Sequence, residues 1–325
     1  MRQRLNGLFQ QVRLGVRESA SICWTLFKFM VPIMVIVRLL TVMEWIAPLS
    51  ALLAPIVHIL GLPREMALVW MSALLTGIYG GITALNGVHL AIPLTTAQVT
   101  VLSVVMLFAH AFPVELAICS QSGFKVLPMF AIRFGVALVT GVILNLVLTW
   151  GQWLQGPAVS FWKAAEPKGW LSWAMGESVM LGKIFGIVLI LVFSLKLFRY
   201  CGGVALLETL IRPLLRWLGL SVDAIPVLMV GMLLGISYGG GMIISEAKSE
   251  VLSGRDLVLS LVLMSLAHAV IEDTIVLHMA GASILGVLGV RVGVALLFVG
   301  VLAMALTHFP HRLRWFQKEL GQDAK

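Results

Sequence analysis

Apolar residues fill this chain in long blocks, and the breaks between blocks are short. Six blocks reach the length of about 20 apolar residues that a bilayer crossing needs: 21–43, 98–120, 126–149, 179–198, 256–278 and 284–306. Two shorter stretches, 46–60 and 203–218, mix apolar and polar positions at helical spacing, and each ends in Leu-Gly-Leu. They predict helices lying along the membrane interface. Two further pairs of short apolar pieces are 64–79 with 82–96 and 222–237 with 242–253. They flank the glycine motifs GIYGG at 77–81 and GISYGGG at 235–241. Glycine runs break helices, so these pieces are too short and interrupted for ordinary spans.

The pattern repeats at a displacement of 158 residues. Leu60-Gly61-Leu62 matches Leu218-Gly219-Leu220, and Ala109-His110-Ala111 matches Ala267-His268-Ala269. Glu115 matches Asp273, Gly123 matches Gly281, and RFGVAL at 133–138 matches RVGVAL at 291–296. One residue, Ser237, breaks the register, inside the glycine motif. So many coincidences at one displacement predict a duplicated chain.

Charge orients the halves. If each short pair is a re-entrant hairpin, a half crosses the membrane an odd number of times and the halves are inverted. The inside segments then carry Arg2, Arg4, Arg13, Arg17, Lys125, Lys196, Arg199, Arg212, Arg216, Lys248, Arg255, Arg312, Arg314 and Lys318. The linker 151–178 falls outside, with Lys163 and Lys168 against Glu166 and Glu177, and with Trp153, Trp162, Trp170 and Trp173 as interfacial anchors beside Trp150. That is a positive-inside distribution. Four crossings per half would put this tryptophan-rich linker inside and fit worse.

The predicted fold is an all-α polytopic membrane protein, an inverted-topology repeat with three full spans, one interfacial helix and one re-entrant hairpin per half. Residues 1–20 form a cytoplasmic amphipathic helix with Leu5, Leu8, Phe9, Val12 and Leu14 on its apolar side. Residues 21–150 and 179–307 are the repeats. Residues 151–178 are a periplasmic or extracellular linker, and 308–325 a basic cytoplasmic tail.

Composition agrees. Of 325 residues, 60% are hydrophobic and 12% charged, too few charges for a soluble domain's surface. The net charge of +8 gathers at block ends, so it is an orientation signal and not a nucleic-acid footprint. Cys23, Cys119 and Cys201 are scattered and suit small buried side chains better than a metal set. The basic N-terminus lacks a short apolar core with a cleavage site, so no signal peptide is expected. No nucleophile–base set and no phosphate-binding loop supports an enzyme, and no cofactor is implied beyond a coupling ion.

In the order of its parts, and in GIYGG and GISYGG at the hairpin tips, the chain resembles the Gate-domain, or nucleoside recognition, membrane proteins over roughly residues 20–307. That group includes the concentrative nucleoside transporters, the membrane part of ferrous-iron transporter B and the spore-maturation membrane proteins. The resemblance implies a multi-pass protein of the bacterial cytoplasmic (inner) membrane, with both termini cytoplasmic. It implies a transporter core whose substrate sits between two hairpin tips and the middle of the following spans. The chain lacks the GTPase domain of the iron transporter and the additional N-terminal spans of full nucleoside transporters.

Two groups of residues carry candidate chemistry. The hairpin group is Tyr79, Gly80, Gly81, Thr83 and Asn86, with Ser237, Tyr238, Gly239, Gly240, Ser245 and Glu246 in the second copy. Glycine lets backbone N–H and C=O approach a solute, or lets helices approach each other. The second group is His110 and Glu115 with His268, Glu272 and Asp273. Ionisable residues deep in a span face a cavity or a partner. His268 and Glu272, four apart, share a helical face. His110 and Glu115 stand about 140° apart on an ideal helix unless it unwinds at Pro113. These groups can relay a proton, bind a solute, hold a metal (His268, Glu272 and Asp273), or simply pair with Arg133 and Arg291. Lys28 and Arg38 read as snorkelling residues.

The leading expectation is a secondary transporter moving a small polar solute, nucleoside-like or another small metabolite, by alternating access, with proton or sodium as coupling ion. The alternatives are a divalent metal ion permease and a non-transporting assembly component of the spore-maturation type. Expected partners are the solute, the lipid bilayer, and a second copy or homologous membrane subunit.

Overall fold

The computed structural model describes residues 2–43, 45, 54–88, 90, 92–162, 169–221, 223–234, 244–245 and 252–316. Among them the chain is helical, with no β-strand. The helices are α1 (Arg2–Val42), α2 (54–59), α3 (Met66–Thr76), α4 (Ile78–Gly87), α5 (Thr96–Phe108), α6 (Phe112–Gln121) and α7 (Val126–Trp150). After the linker come α8 (Trp170–Tyr200), α9 (Gly203–Trp217), α10 (Ala224–Leu234), α11 (Gly254–Leu266), α12 (Val270–Met279) and α13 (Arg291–His308). A π-helical stretch, Leu285–Val290, leads into α13. Both ends of α3 and α10, of α5 and α11, and of α6 and α12 differ by the same displacement of 158.

Six segments are long and apolar enough to cross a membrane: Arg13–Leu40, Thr96–Gln121, Val126–Trp150, Trp170–Phe198, Gly254–Met279 and Leu285–His308. They fall on the six blocks expected. Burial sorts them into two kinds. The most apolar windows of Thr96–Gln121 and Gly254–Met279 are 67% and 78% buried, against 24–33% in the other four. The two buried segments therefore form the centre, and the other four expose apolar flanks, as helices facing lipid do.

Both central segments are broken. Residues 109–111 and 267–269 leave the helix, and Ala111 (φ 47°) and Ala269 (φ 44°) adopt the left-handed conformation. An L-residue pays roughly 1–2 kcal/mol there. The block was expected as a continuous span, with Pro113 as the one place where it could unwind. The break lies earlier because Pro113 sits in the first turn of α6, where a missing N–H costs nothing. The second copy has Ile271 at that position and breaks identically. Neighbours satisfy the freed backbone, as membrane burial requires. The Ala111 N–H donates to the Ala73 carbonyl (2.9 Å) and that of Ala269 to Gly231 (3.4 Å). The Trp70 indole donates to the Ala109 carbonyl (3.2 Å).

Helices α3 and α4 are joined by Gly77 alone, at φ 103°, ψ −178°, a conformation open only to glycine. The chain folds back so sharply that a Cβ on Gly81 would stand 2.9 Å from the Ala73 methyl. At 1.5 Å per residue each helix is only about 16 Å long, half a hydrocarbon core. In the second copy, α10 matches α3, and the motif 235–241 lies outside the described residues.

The segment after α7 ties distant ends together. Thr96 and Ala97 N–H groups donate to Gly156 and Leu154 carbonyls (2.9 and 2.8 Å), and Phe161 N–H donates to Met279 (2.8 Å). Trp162 was expected as an interfacial anchor. It is buried instead, its indole donating to the Val276 carbonyl (3.1 Å). Two further boundaries differ. Helix α1 runs unbroken through residue 20, and α8 begins at Trp170, inside the stretch assigned to the linker. Cys23 and Cys119 are buried as expected, but Cys201 is exposed.

Candidate functional site

The two helix breaks bring matched residues of the two copies face to face. His110 Nε2 lies 3.2 Å from His268 Nε2. The other ring nitrogens point to backbone: His110 Nδ1 to the Met106 carbonyl at 2.8 Å and His268 Nδ1 to the Met264 carbonyl at 2.9 Å. Glu115 Oε1 completes a triangle, 3.4 Å from His110 Nε2 and 3.6 Å from His268 Nε2. All three side chains are buried.

Two arginines hold this centre. Arg133 Nε donates to the Phe108 carbonyl and Arg291 Nε to the Leu266 carbonyl, each at 2.9 Å. These carbonyls end α5 and α11, where helix breaks leave acceptors unsatisfied and partly negative. Each guanidinium also meets an acid in the first turn of the following half-helix, Arg133 with Glu115 and Arg291 with Asp273 (2.9 Å). A carboxylate is favoured at that positive helix start. One arginine and one acid thus neutralise both stubs of each broken helix. The pairing of these acids with Arg133 and Arg291, one of the alternatives in the sequence, is present together with the histidine centre.

Glu272 takes a different partner from the one its spacing implied. The break at 267–269 removes the continuous helix on which His268 and Glu272 would share a face. The acid near His268 is Glu115 of the other copy. Glu272 Oε1 instead accepts from the Tyr79 hydroxyl (2.9 Å), joining α4 to α12. His278 is half-exposed, its Nδ1 bonded to the Ala282 carbonyl (2.8 Å), and it does not join the centre.

The remaining hairpin candidates divide. The missing side chains of Gly80 and Gly81 make room for Thr76 and Ile33, and for Ala73 and Met106. The turn belongs to Gly77. Thr83, whose hydroxyl donates to the Tyr79 carbonyl (2.8 Å), and Asn86, whose amide contacts Met180 Sδ (3.3 Å), line a separate cavity of about 200 Å³. Ser245 is exposed. Ser237, Tyr238, Gly239, Gly240 and Glu246 lie outside the described residues.

The cavity is walled by α1, α4, α8, the start of α5 and the linker. Its charged lining is Arg38 and Glu177, which the sequence reading left out of the site. The Arg38 guanidinium lies over the Trp170 ring, 5.6 Å from its centroid. The signal was present: each is an ionisable residue within a strongly apolar helix. Arg38, which matches Lys196 of the other copy, read as a snorkelling residue near a span end, and Glu177 as a charge of the linker. Helix α4 reaches both regions, with Tyr79 bonded to Glu272 of α12 and Thr83 and Asn86 at the cavity.

An uncharacterized membrane protein of Bacillus subtilis strain 168, YvoD, is 26% identical to this chain over 317 residues, covering 95% of this chain and 97% of that one. No protein-family model matches the chain, and no solved structure matches it. The six apolar helices and this likeness agree on a multi-pass membrane protein.

Proposed function

We propose that the chain is a secondary transporter of a small polar solute, working by alternating access, with the Arg38–Glu177 cavity receiving the solute and the histidine centre binding the coupling cation. The observation that carries this reading is the contact between His110 and His268. A carbonyl only accepts, so both Nδ1 atoms carry hydrogen. Two Nε2 lone pairs then face each other at 3.2 Å with a carboxylate oxygen beside them. Three acceptors in a buried space repel unless a cation lies among them.

A proton fits best. Arg133 pairs with Glu115 and Arg291 with Asp273, so those four charges cancel. A proton shared by the imidazoles turns two facing lone pairs into one N–H···N hydrogen bond at 3.2 Å. Release of that proton separates the halves electrostatically, which couples protonation to the contact on which a rocking motion would turn.

The inverted repeat of the Gate-domain proteins is part of the proposal. It is supported by the linker, which bonds both the start of α5 and the end of α12. Matched helices running in opposite directions place those ends on one side. At the other end of α6, the Lys125 N–H donates to the Phe316 carbonyl (2.6 Å), which pairs the start of α7 with the region after α13. By the charge pattern, the linker is external and both termini are cytoplasmic.

Proteoliposomes loaded at one pH and diluted into another test the reading. A pH gradient drives solute accumulation in the native protein and not in His268→Ala or His110→Ala. Uptake indifferent to the gradient and to both substitutions would sink the proton assignment.

A second reading is transport of a divalent metal, favoured by the triangle's edges. Ligands about 2.0–2.2 Å from a zinc-sized ion stand roughly 3.3–3.6 Å apart at a tetrahedral angle, close to the observed 3.2, 3.4 and 3.6 Å. Both histidines also have the backbone carbonyl partner that fixes a metal-ligating ring. Metal analysis of the purified protein decides: one equivalent of zinc, iron or manganese lost in Glu115→Gln moves the assignment from proton to metal.

A further inference from the structure

The cavity beneath α4 carries one cation and one anion whose inner edges have no hydrogen-bond partner. Arg38 Nε and Glu177 Oε2 are both buried and lack a hydrogen-bond partner; the Glu177 carboxylate has a side-chain bond from Trp173, which leaves Oε2 free. Leaving a charged donor and a charged acceptor unpaired out of water is costly, and the membrane-spanning position of both helices raises that cost. The remaining walls are mostly apolar, with the polar atoms of Thr83, Asn86 and Ser160 among them. Its volume of about 200 Å³ lies below the range of drug-sized pockets, so the occupant is a small metabolite.

We propose that this cavity binds a small zwitterion, its carboxylate on Arg38 and its ammonium group on Glu177. An anion alone leaves Glu177 unpaired, and an amine alone leaves Arg38 unpaired. A neutral polar solute satisfies neither with a charge-assisted bond. A molecule carrying both charges satisfies both and adds no net charge to a membrane-embedded site. The apolar walls of the cavity take its carbon skeleton, and the Arg38–Trp170 contact holds the guanidinium in place. The proposal rests on the transporter reading for the role of the cavity and not for its occupancy.

Thermal unfolding of the detergent-purified full chain tests it, with glycine, β-alanine, 4-aminobutyrate, alanine and serine as probes and acetate and methylamine as singly charged controls. The expected result is stabilisation by at least one zwitterion at concentrations where neither control acts. Within the ω-amino acids, one chain length is favoured, which reads out the spacing between the two charges. Arg38→Gln and Glu177→Gln each weaken that binding roughly tenfold to a hundredfold, the loss of one charge-assisted bond. The exchange Arg38→Glu with Glu177→Arg restores part of it. Zwitterions that act no better than acetate or methylamine overturn the proposal, and so does binding that survives both single substitutions. The comparison of probes on the native chain holds even if a variant fails to fold. Zwitterion binding without uptake into proteoliposomes supports the site and removes the transporter reading. Uptake of another solute without zwitterion binding does the reverse.

Discussion

Arg133 and Arg291 show how a few side chains make a broken helix tolerable inside a membrane. Each caps one stub by its Nε and neutralises the other through an acid. Removing one partner of a buried ion pair costs about 3–5 kcal/mol, whereas replacing both with apolar groups costs little. Glu115→Gln is therefore expected to lower the unfolding temperature strongly, and Glu115→Gln with Arg133→Met to recover most of the loss, in thermal melts of the detergent-solubilised protein. Equal destabilisation by the single and double variants would show that Arg133 serves the Phe108 carbonyl first. Tyr79→Phe removes a bond to a carboxylate, worth about 1.5–3 kcal/mol, and should be milder. These side chains were legible as a set, because an ionisable residue in an apolar block always needs a reason. The pairing of the acids with the arginines was among the alternatives, but the meeting of the two histidines was not. That meeting depends on an alanine in a left-handed conformation, which no residue preference announces, and the proline that seemed to mark the break only begins the next helix.

At the scale of elements, the hairpin placed its glycines in two different jobs. Gly77 makes the turn by its backbone angles, and a Cβ there would meet only the Ala111 methyl at 3.8 Å. Gly81 keeps helical angles, and a Cβ there would collide with Ala73 and Met106. Gly77→Ala is thus a conformational lesion of about 1–3 kcal/mol that no compensating cavity relieves. Gly81→Ala is steric, so Met106→Ala should relieve the Met106 part of its cost, leaving the Ala73 contact, and should not relieve Gly77→Ala. A double-mutant cycle on unfolding temperature separates the two. Sequence alone put the tip within 77–81 but not on one glycine, because three glycines within five residues look alike until their neighbours are known. A helix, α9, stands over the amphipathic stretch 203–218 of the second copy. The first copy's counterpart is described only from residue 54.

For the whole molecule, the apolar blocks and the repeat were fully readable, since span length and periodicity are properties of the chain itself. The meeting of the two copies was not, because nothing in one sequence says which faces touch. A cysteine introduced at Ser160, next to the buried Trp162, is expected to react with a membrane-impermeant maleimide from the external side, and one at His311 only after the membrane is opened. Labelling of both from the same side would refute the inverted arrangement. The matched positions also differ in one telling place. Glu272 bonds Tyr79, but the residue at its own level in the first copy is Val114. Two identical half-chains assembled as a pair could not have held that contact once, since any acid would appear twice. Joining the halves in one polypeptide freed each from copying the other. On the proposed transporter reading, the Tyr79–Glu272 bond, which Val114 cannot repeat, would give the two gates different stabilities and the molecule a preferred resting side that a symmetric ancestor could not have had.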